Sequence, residues 1–255
     1  MEKKYIILLT RIFSCKFIFK KEKEETKMKK IVSVLLLMVL ALSCSLVSCD
    51  TAKVLTYDEY IAADVDDAVV VDVYVQATQA WWEDKITVYA ADENGAYFIY
   101  EMACSKEDAA KLTAGTKIRV TGSKAEWSGE VEIVDATFKF LDGNYVATAK
   151  DLTAKLGTDD LIKYQNQLAA FNGLTVKSIS YKNDAPGDGN DIYVTVTKDG
   201  ADYDFCVEAY LTAPGSDVYD AFANSTVKVG DVIDVEGFVY WYNGVNTHIT
   251  KVTVK

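Results

Sequence analysis

The octapeptide GTKIRVTG at Gly115–Gly122 returns as GDVIDVEG at Gly230–Gly237. In both, apolar and polar residues alternate between two glycines, the period of a strand with one buried face. Neighbouring landmarks repeat in the same order. Gly129 in WSG and Gly244 in WYNG keep the same offset, and each lies just past a tryptophan, Trp127 and Trp241. Upstream, FIYEM at Phe98–Met102 corresponds to FCVEA at Phe205–Ala209, which sets Glu101 opposite Glu208. Several landmarks in one order point to a duplicated domain, so this chain of 255 residues builds one small β-structure twice.

Each copy reads as five strands with a helix after the third. In the first copy, AVVVDVYVQAT (Ala68–Thr78), KITVYAA (Lys85–Ala91) and AYFIYEMAC (Ala96–Cys104) are the first three strands. SKEDAAKL follows as a helix capped by Ser105, then TKIRVTGSKA and EVEIVDATFKF as strands. The second copy runs LTVKSISYK, DIYVTVT, YDFCVEAYL, a helix PGSDVYDAFA with Pro214 in its first turn, then VIDVEGFVYW and NTHITKVTV. A lead helix precedes each copy. TYDEYIAA starts at Thr56, with Glu59 completing a capping box, and TDDLIKYQNQLAAF starts at Thr158. Because the linking stretch reads as helix and not as a Gly/Ser tether, the two copies are expected to be fixed to each other. Gly122 and Gly237, inside the fourth strands, suit a strand that bends around a small barrel.

Three strands, a helix and two strands is the order of the OB fold, a five-stranded Greek-key barrel. The sequence of helix, V-x-V strand, turned hairpin and G-x-x-I-x-V-x-G, followed by a Gly-containing hairpin, resembles the OB-like domains of bacterial secreted proteins and lipoproteins. The resemblance covers residues 54–255. It implies a mainly β chain of two tandem OB-like barrels, 54–148 and 149–255, and brings nucleic-acid binding in as one activity seen on such domains.

The front of the chain reads as an export signal. MKKIVSVLLLMVLALSCSLVSC, residues 28–49, has two early lysines and an apolar run, Ile31–Leu42, too short for a comfortable permanent span. LVSC, Leu46–Cys49, resembles the lipobox of bacterial lipoproteins, which implies a lipid on Cys49 and a place on the outer surface of the cell membrane. The competing ALSC ends at Cys44, and its Ala at −3 and Leu at −2 fit that box less well. Residues 1–27 put a second, interrupted apolar stretch ahead of a complete signal and read as an upstream mis-start or leader.

Of 27 Lys/Arg and 38 Asp/Glu, 10 and 4 fall within residues 1–49, leaving 17 and 34 in residues 50–255 and a net charge of −17 there. Nucleic-acid affinity rests on Lys/Arg neutralising phosphates, so this balance disfavours a nucleic-acid partner. Only Cys104 and Cys206 follow Cys49, too few for a disulfide framework. His248 is the one histidine, and nothing resembles a nucleophile–base pair, a metal set or a cofactor motif. The expectation is a protein that binds and does not catalyse, with no cofactor and no metal.

OB barrels bind across strands 2 and 3, walled by the loops joining strands 1–2 and 4–5. On that map Trp81 and Trp82 fall in the first copy's 1–2 loop and Trp127 in its 4–5 loop. Alternation places Ile86, Val88, Ala90, Phe98, Tyr100 and Met102 inward, leaving Tyr89, Tyr97, Ile99 and Glu101 outward. The second copy offers Tyr193 on strand 2, Glu208 and Tyr210 on strand 3, and Trp241 and Tyr242 in its 4–5 loop. Such a strip suits a saccharide or peptide, since a sugar's apolar face stacks on an aromatic ring while a carboxylate accepts its hydroxyls. Two alternatives stand beside it: a single-stranded nucleic-acid-binding OB protein, and a structural or assembly part of the envelope with a protein partner. Strand aromatics also serve cross-strand packing, and a register slip of one residue exchanges the two faces.

Mass spectrometry of the mature protein extracted from membranes is expected to find a lipid-modified Cys49 at its N-terminus. Cys49→Ser should move the protein from the membrane to the soluble fraction; a mature chain that retains Leu46 would refute the assignment.

Overall fold

Two closed sheets organise the described residues. The computed structural model describes residues 52–182, 187 and 189–255, so Cys49, Cys44 and the signal region lie outside the described residues. Residues 53–255 form one compact unit.

The first barrel contains β1 (Ala68–Thr78), β2 (Lys85–Ala91), β3 (Ala96–Ala103), β4 (Thr116–Trp127) and β5 (Glu130–Asn144). Its strand order is β1-β2-β3-β5-β4, and β4 pairs back onto β1 to close the ring. The contact between β3 and β5 is parallel and all others are antiparallel, the Greek-key arrangement of an OB barrel. The alternation in β1 is direct: Val69, Val71, Val73 and Val75 fill the core, while Asp72 on the other face takes a two-pronged ion pair from Arg119 at 2.6 and 2.8 Å.

After the two-residue strand β6 (Lys150–Asp151), the second barrel repeats the plan with β7 (Leu168–Tyr181), β8 (Ile192–Lys198), β9 (Ala201–Val207), β10 (Val232–Phe238) and β11 (His248–Val254). The order is β7-β8-β9-β11-β10, again closed by β10 on β7 and again with its third and fifth strands parallel. Phe171, Leu174, Val194, Phe205 and Ile233 form its core. Both barrels are therefore of the OB type expected from the sequence.

The helices are short. Helix α1 (Tyr57–Ala62) carries the expected capping box: Glu59 N donates to Thr56 Oγ1 at 3.3 Å, and Thr56 N to Glu59 Oε2 at 3.0 Å. Helix α2 (Lys106–Ala109) starts at Ser105 as expected. Helix α3 (Asp217–Ala223) is capped by Ser216, whose Oγ accepts from Tyr219 N, so Pro214 stands before the helix and not in its first turn. The lead helix expected from Thr158 is replaced by two tight turns, Thr153–Lys155 and Leu161–Tyr164. Asn166, at φ 66°, cannot continue a right-handed helix, and β7 begins two residues later.

A bulge resets the register of β3. Tyr100 and Glu101 together face the single residue Thr87 of β2, Glu101 adopts φ 45°, and its N–H donates to Thr87 Oγ1 at 3.1 Å. Tyr97, Ile99 and Met102 consequently share the barrel core, while Phe98 and Tyr100 face outward. This reverses the expected orientation of all four residues from Tyr97 to Tyr100. Tyr97 is buried against Tyr57 and Tyr60 of α1, with its hydroxyl donating to Asp92 Oδ2 at 3.0 Å.

The repeated strand glycines mark the closest approaches in each barrel. A Cβ on Gly122 would lie 2.7 Å from the Val134 carbonyl oxygen, and one on Gly237 would lie 2.4 Å from that of His248. Both sit at irregularities between the fourth and fifth strands, where the sheet turns sharply. Gly237→Ala is expected to cost about 1–3 kcal/mol as overpacking against backbone. The measurement is the denaturant midpoint, and an unchanged midpoint would refute the close approach.

Candidate ligand-binding groove at the barrel seam

The outer face of β2 and β3 does not open to solvent along its whole length, because the second barrel packs on part of it. Tyr89 is fully buried there, its ring stacked on Phe238 at 4.5 Å and edge-on to Phe98 at 5.1 Å. Leu168, Leu211 and Tyr240 complete this small apolar cluster. Burying a phenol requires a partner for its hydroxyl. His248 supplies it: Tyr89 Oη and His248 Nδ1 are 2.6 Å apart. Gln79 Nε2 donates to the same oxygen at 3.4 Å. Burial holds His248 down at about 3, neutral at physiological pH. Its ring stacks on Tyr240 at 4.3 Å.

A second set of contacts clasps the barrels from the β4–β5 hairpin. Val131 N donates to Gln165 Oε1 at 3.0 Å, Gln165 Nε2 to the Gly129 carbonyl at 2.6 Å, and Asn166 Nδ2 to the Val131 carbonyl at 3.2 Å. Asn243 N donates to the Ser128 carbonyl at 2.7 Å. Glu130 is wholly buried beneath the hairpin and accepts Trp241 N–H on Oε2 at 2.8 Å, while Oε1 has no partner among the described residues. Burial pushes its carboxyl up to about 8, with the Glu132 charge adding, against the hydrogen bonds from Asn166 and Trp241.

Beside the seam lies an open groove of about 630 Å³ built from both barrels. Its walls carry Trp82, Tyr100 and Trp127 from the first barrel and Tyr193, Tyr210 and Tyr242 from the second. Tyr240 and His248 line its base. Trp82 and Trp127 stand 65% and 53% exposed, and Trp127 sits 5.2 Å from Tyr242 across the seam. Three carboxylates line the groove: Glu101, Asp191 and Glu208. Lys85 is its one ammonium among the described residues, bonded to Glu101 at 2.6 Å. Glu208, only 9% exposed, accepts Tyr210 N at 3.2 Å and Leu211 N at 2.8 Å. Burial raises its carboxyl to about 7, and the neighbouring Asp191 charge adds to the rise.

Of the residues expected at a site, the structure brings Trp82, Glu101, Trp127, Tyr193, Glu208, Tyr210 and Tyr242 to the groove. Four lie elsewhere. Tyr89 is sealed in the seam because a whole barrel covers its face. Tyr97 is in the first core because of the bulge. Trp81 turns its indole N–H to the Cys104 carbonyl at 2.8 Å, and the Lys106 ammonium lies over its ring. Trp241 packs beside the second core and against Gly129, beneath the clasping hairpin. Tyr100, Tyr240, Asp191, Lys85 and His248 are groove residues that the sequence reasoning did not place there. Period-two alternation continued through the irregular β2–β3 pairing would have kept Tyr100 hidden; only the bulge exposes it. Cys104 and Cys206 are both buried and unbridged. Among the described residues no group of three or more His, Cys, Asp or Glu is placed to hold a metal ion, and no helix is long and apolar enough to cross a membrane.

No protein-family model and no curated protein sequence matches the chain. Among solved structures, similar folds include a murine DNA-binding protein bound to double-stranded DNA, at 12% identity and TM-score 0.36, covering 72% of this chain and 94% of that one. The Ifi202 HINa domain in complex with 20-bp double-stranded DNA is similar at 12% identity and TM-score 0.33, covering 74% and 98%. A replication protein A heterotrimer bound to single-stranded DNA gives 10% identity and TM-score 0.28, covering 74% and 49%. Likenesses this low leave the ligand to be read from the groove itself.

The native state holds a proton on Glu130 that the unfolded chain releases above its ordinary value of 4.5. This group's contribution to stability therefore falls as pH rises from about 4.5 to about 8 and is level beyond. Glu130→Gln, which keeps an acceptor for Trp241 N–H, is expected to remove that slope. The difference in Tm between variant and wild type should grow in the variant's favour across this window, and a constant difference would refute the buried protonated carboxyl.

Proposed function

We propose that the chain is an exported, lipid-anchored binding protein whose groove between two OB barrels takes a saccharide ligand. The observation that carries this reading is the lining: aromatic side chains from both barrels around about 630 Å³, with three carboxylates and a single, already paired ammonium. Exposed indoles and phenols offer flat apolar faces to sugar rings. Glu208, Asp191 and Glu101 offer acceptors to hydroxyls, and the neutral imidazole of His248, held by Tyr89, adds a further polar group to the lining. Anchoring rests on residues 28–49, with Cys49 as the lipidated residue; a mature chain starting there has only six residues, 50–55, before the helix cap at Thr56. That tether spans at most about 20 Å, which keeps the groove near the membrane surface.

Single-stranded nucleic acid is the second reading, favoured by the OB architecture and by the exposed aromatics, which are of the kind that stack bases. The charge of the groove opposes it, since phosphate-led binding needs free cations.

Alanine at Trp82, Trp127 or Tyr242 is expected to cost about 1–3 kcal/mol each, roughly 5- to 150-fold in Kd, if sugar rings stack as bases do. Trp81→Ala should lower Tm and leave Kd unchanged. A glycan array followed by calorimetry measures both, with a labelled oligonucleotide at 50 and 200 mM salt as the competing ligand. Oligonucleotide binding that weakens when Trp82 or Trp127 is removed, with no glycan retained, would replace the saccharide reading by the nucleic-acid one.

A further inference from the structure

We infer that the second-barrel side of the groove receives a primary ammonium group, so that the saccharide it takes is an amino sugar with a free amine. The inference rests on the saccharide reading of the groove and narrows it.

Asp191 and Glu208 are held side by side by consecutive amides of one turn. Asp191 Oδ1 accepts Ala209 N–H at 2.9 Å, and Glu208 accepts the next two, from Tyr210 and Leu211. Among the described residues neither carboxylate has an ion-pair partner. Lys85, the groove's only ammonium, is committed to Glu101, and Arg119 to Asp72. A buried carboxylate and a half-buried one are thus fixed together with no cation among the described residues, a costly arrangement unless something positive arrives. The raised carboxyl of Glu208 has the same origin, burial and then the Asp191 charge.

Around this pair stand Tyr193, Tyr210 and Tyr242, each more than two-fifths exposed on the groove side of the second barrel. Aromatic faces attract a cation, and a neighbouring carboxylate adds to the attraction. Trp82 and Trp127 supply larger, uncharged platforms in the same groove, and Trp127 stands 5.2 Å from Tyr242. The groove therefore sets indoles for ring faces close to phenols and carboxylates for a charged substituent. A lysine-bearing peptide would satisfy the carboxylates and leave the two indoles without ring partners, which is why an amino saccharide fits better.

The test compares the hexamer of glucosamine with the hexamer of N-acetylglucosamine, and both with hexalysine, by calorimetry on the full-length protein at neutral pH. The glucosamine hexamer is expected to bind about tenfold more tightly than its acetylated form. Asp191→Asn and Glu208→Gln should each collapse that ratio towards one; Asn keeps an acceptor for Ala209 N–H, and Tm reports whether either variant is folded. Equal affinity for the two sugars in the wild type would overturn the ammonium site and leave the saccharide reading standing. Tighter binding of hexalysine than of either sugar would overturn the amino-sugar assignment. Binding of neither sugar would overturn both.

Discussion

The hydrogen bond between Tyr89 and His248 lies where strand β2 of one barrel meets strand β11 of the other, and the relation between the barrels depends on it. A phenol and an imidazole are both buried there, and each makes the other's burial tolerable. The imidazole in this bond is neutral, and burial keeps it so. Around it, Phe98, Phe238 and Tyr240 supply the apolar contact, and the β4–β5 hairpin supplies a second, polar attachment through Gln165, Asn166 and Asn243. Two attachments of different chemistry at separate places resist both sliding and hinging. The groove beside them is consequently a fixed shape.

The two barrels share one strand plan, and the seam makes them unequal. The sequence sets Glu101 opposite Glu208, but Phe98 faces the seam while its aligned partner Phe205 lies in the second core, so the two glutamates are not equivalent in the fold. Glu101 sits on a bulge at the edge of the groove, well exposed, with Lys85 at hand, and its carboxyl is lowered chiefly by that hydrogen bond. Glu208 follows directly on the end of β9, buried and without a cation, and its carboxyl is raised. The first barrel contributes both indoles, with Tyr100 and the ion-paired Glu101, and the second contributes phenols and the carboxylates that lack a cation among the described residues. Neither copy contains the groove alone, so the binding surface is a property of the pair and not of the repeat.

What could be read from the sequence was local. Strand order, the capping box at Thr56 and the glycines of the fourth strands follow from period, cap chemistry and crowding within a few residues, and the structure repeats them closely. The orientation of Tyr97–Tyr100 was not legible, because one extra residue in β3 inverts the alternation and nothing in AYFIYEMAC marks where it is inserted. Trp81 and Trp241 were placed on loops correctly, but a loop tryptophan can turn outward or inward, and the Cys104 carbonyl and the Glu130 hairpin that decide the matter are distant in sequence. The second lead helix failed for a related reason. Its polar QNQ segment is spent on hydrogen bonds to the other barrel, which require an extended chain at Gln165 and a left-handed one at Asn166.

Magnitudes decide what such a groove tolerates. Stacking on an aromatic side chain is worth about 1–3 kcal/mol per base or ring. A ligand charge of −1 placed about 7 Å from a single carboxylate costs roughly 2 kcal/mol at an effective dielectric near 20. Asp191 and Glu208 lie together, so one phosphate near them meets that repulsion up to twice over, and the gain from stacking its base is offset. Protonation of Glu208 relieves half of it below about 7, while Asp191 still opposes the phosphate. A neutral sugar keeps the stacking and meets no such opposition, and a positive substituent converts the same electrostatics into attraction. For the proposed site these electrostatics favour a cationic ligand over a neutral one, and a neutral one over a phosphodiester.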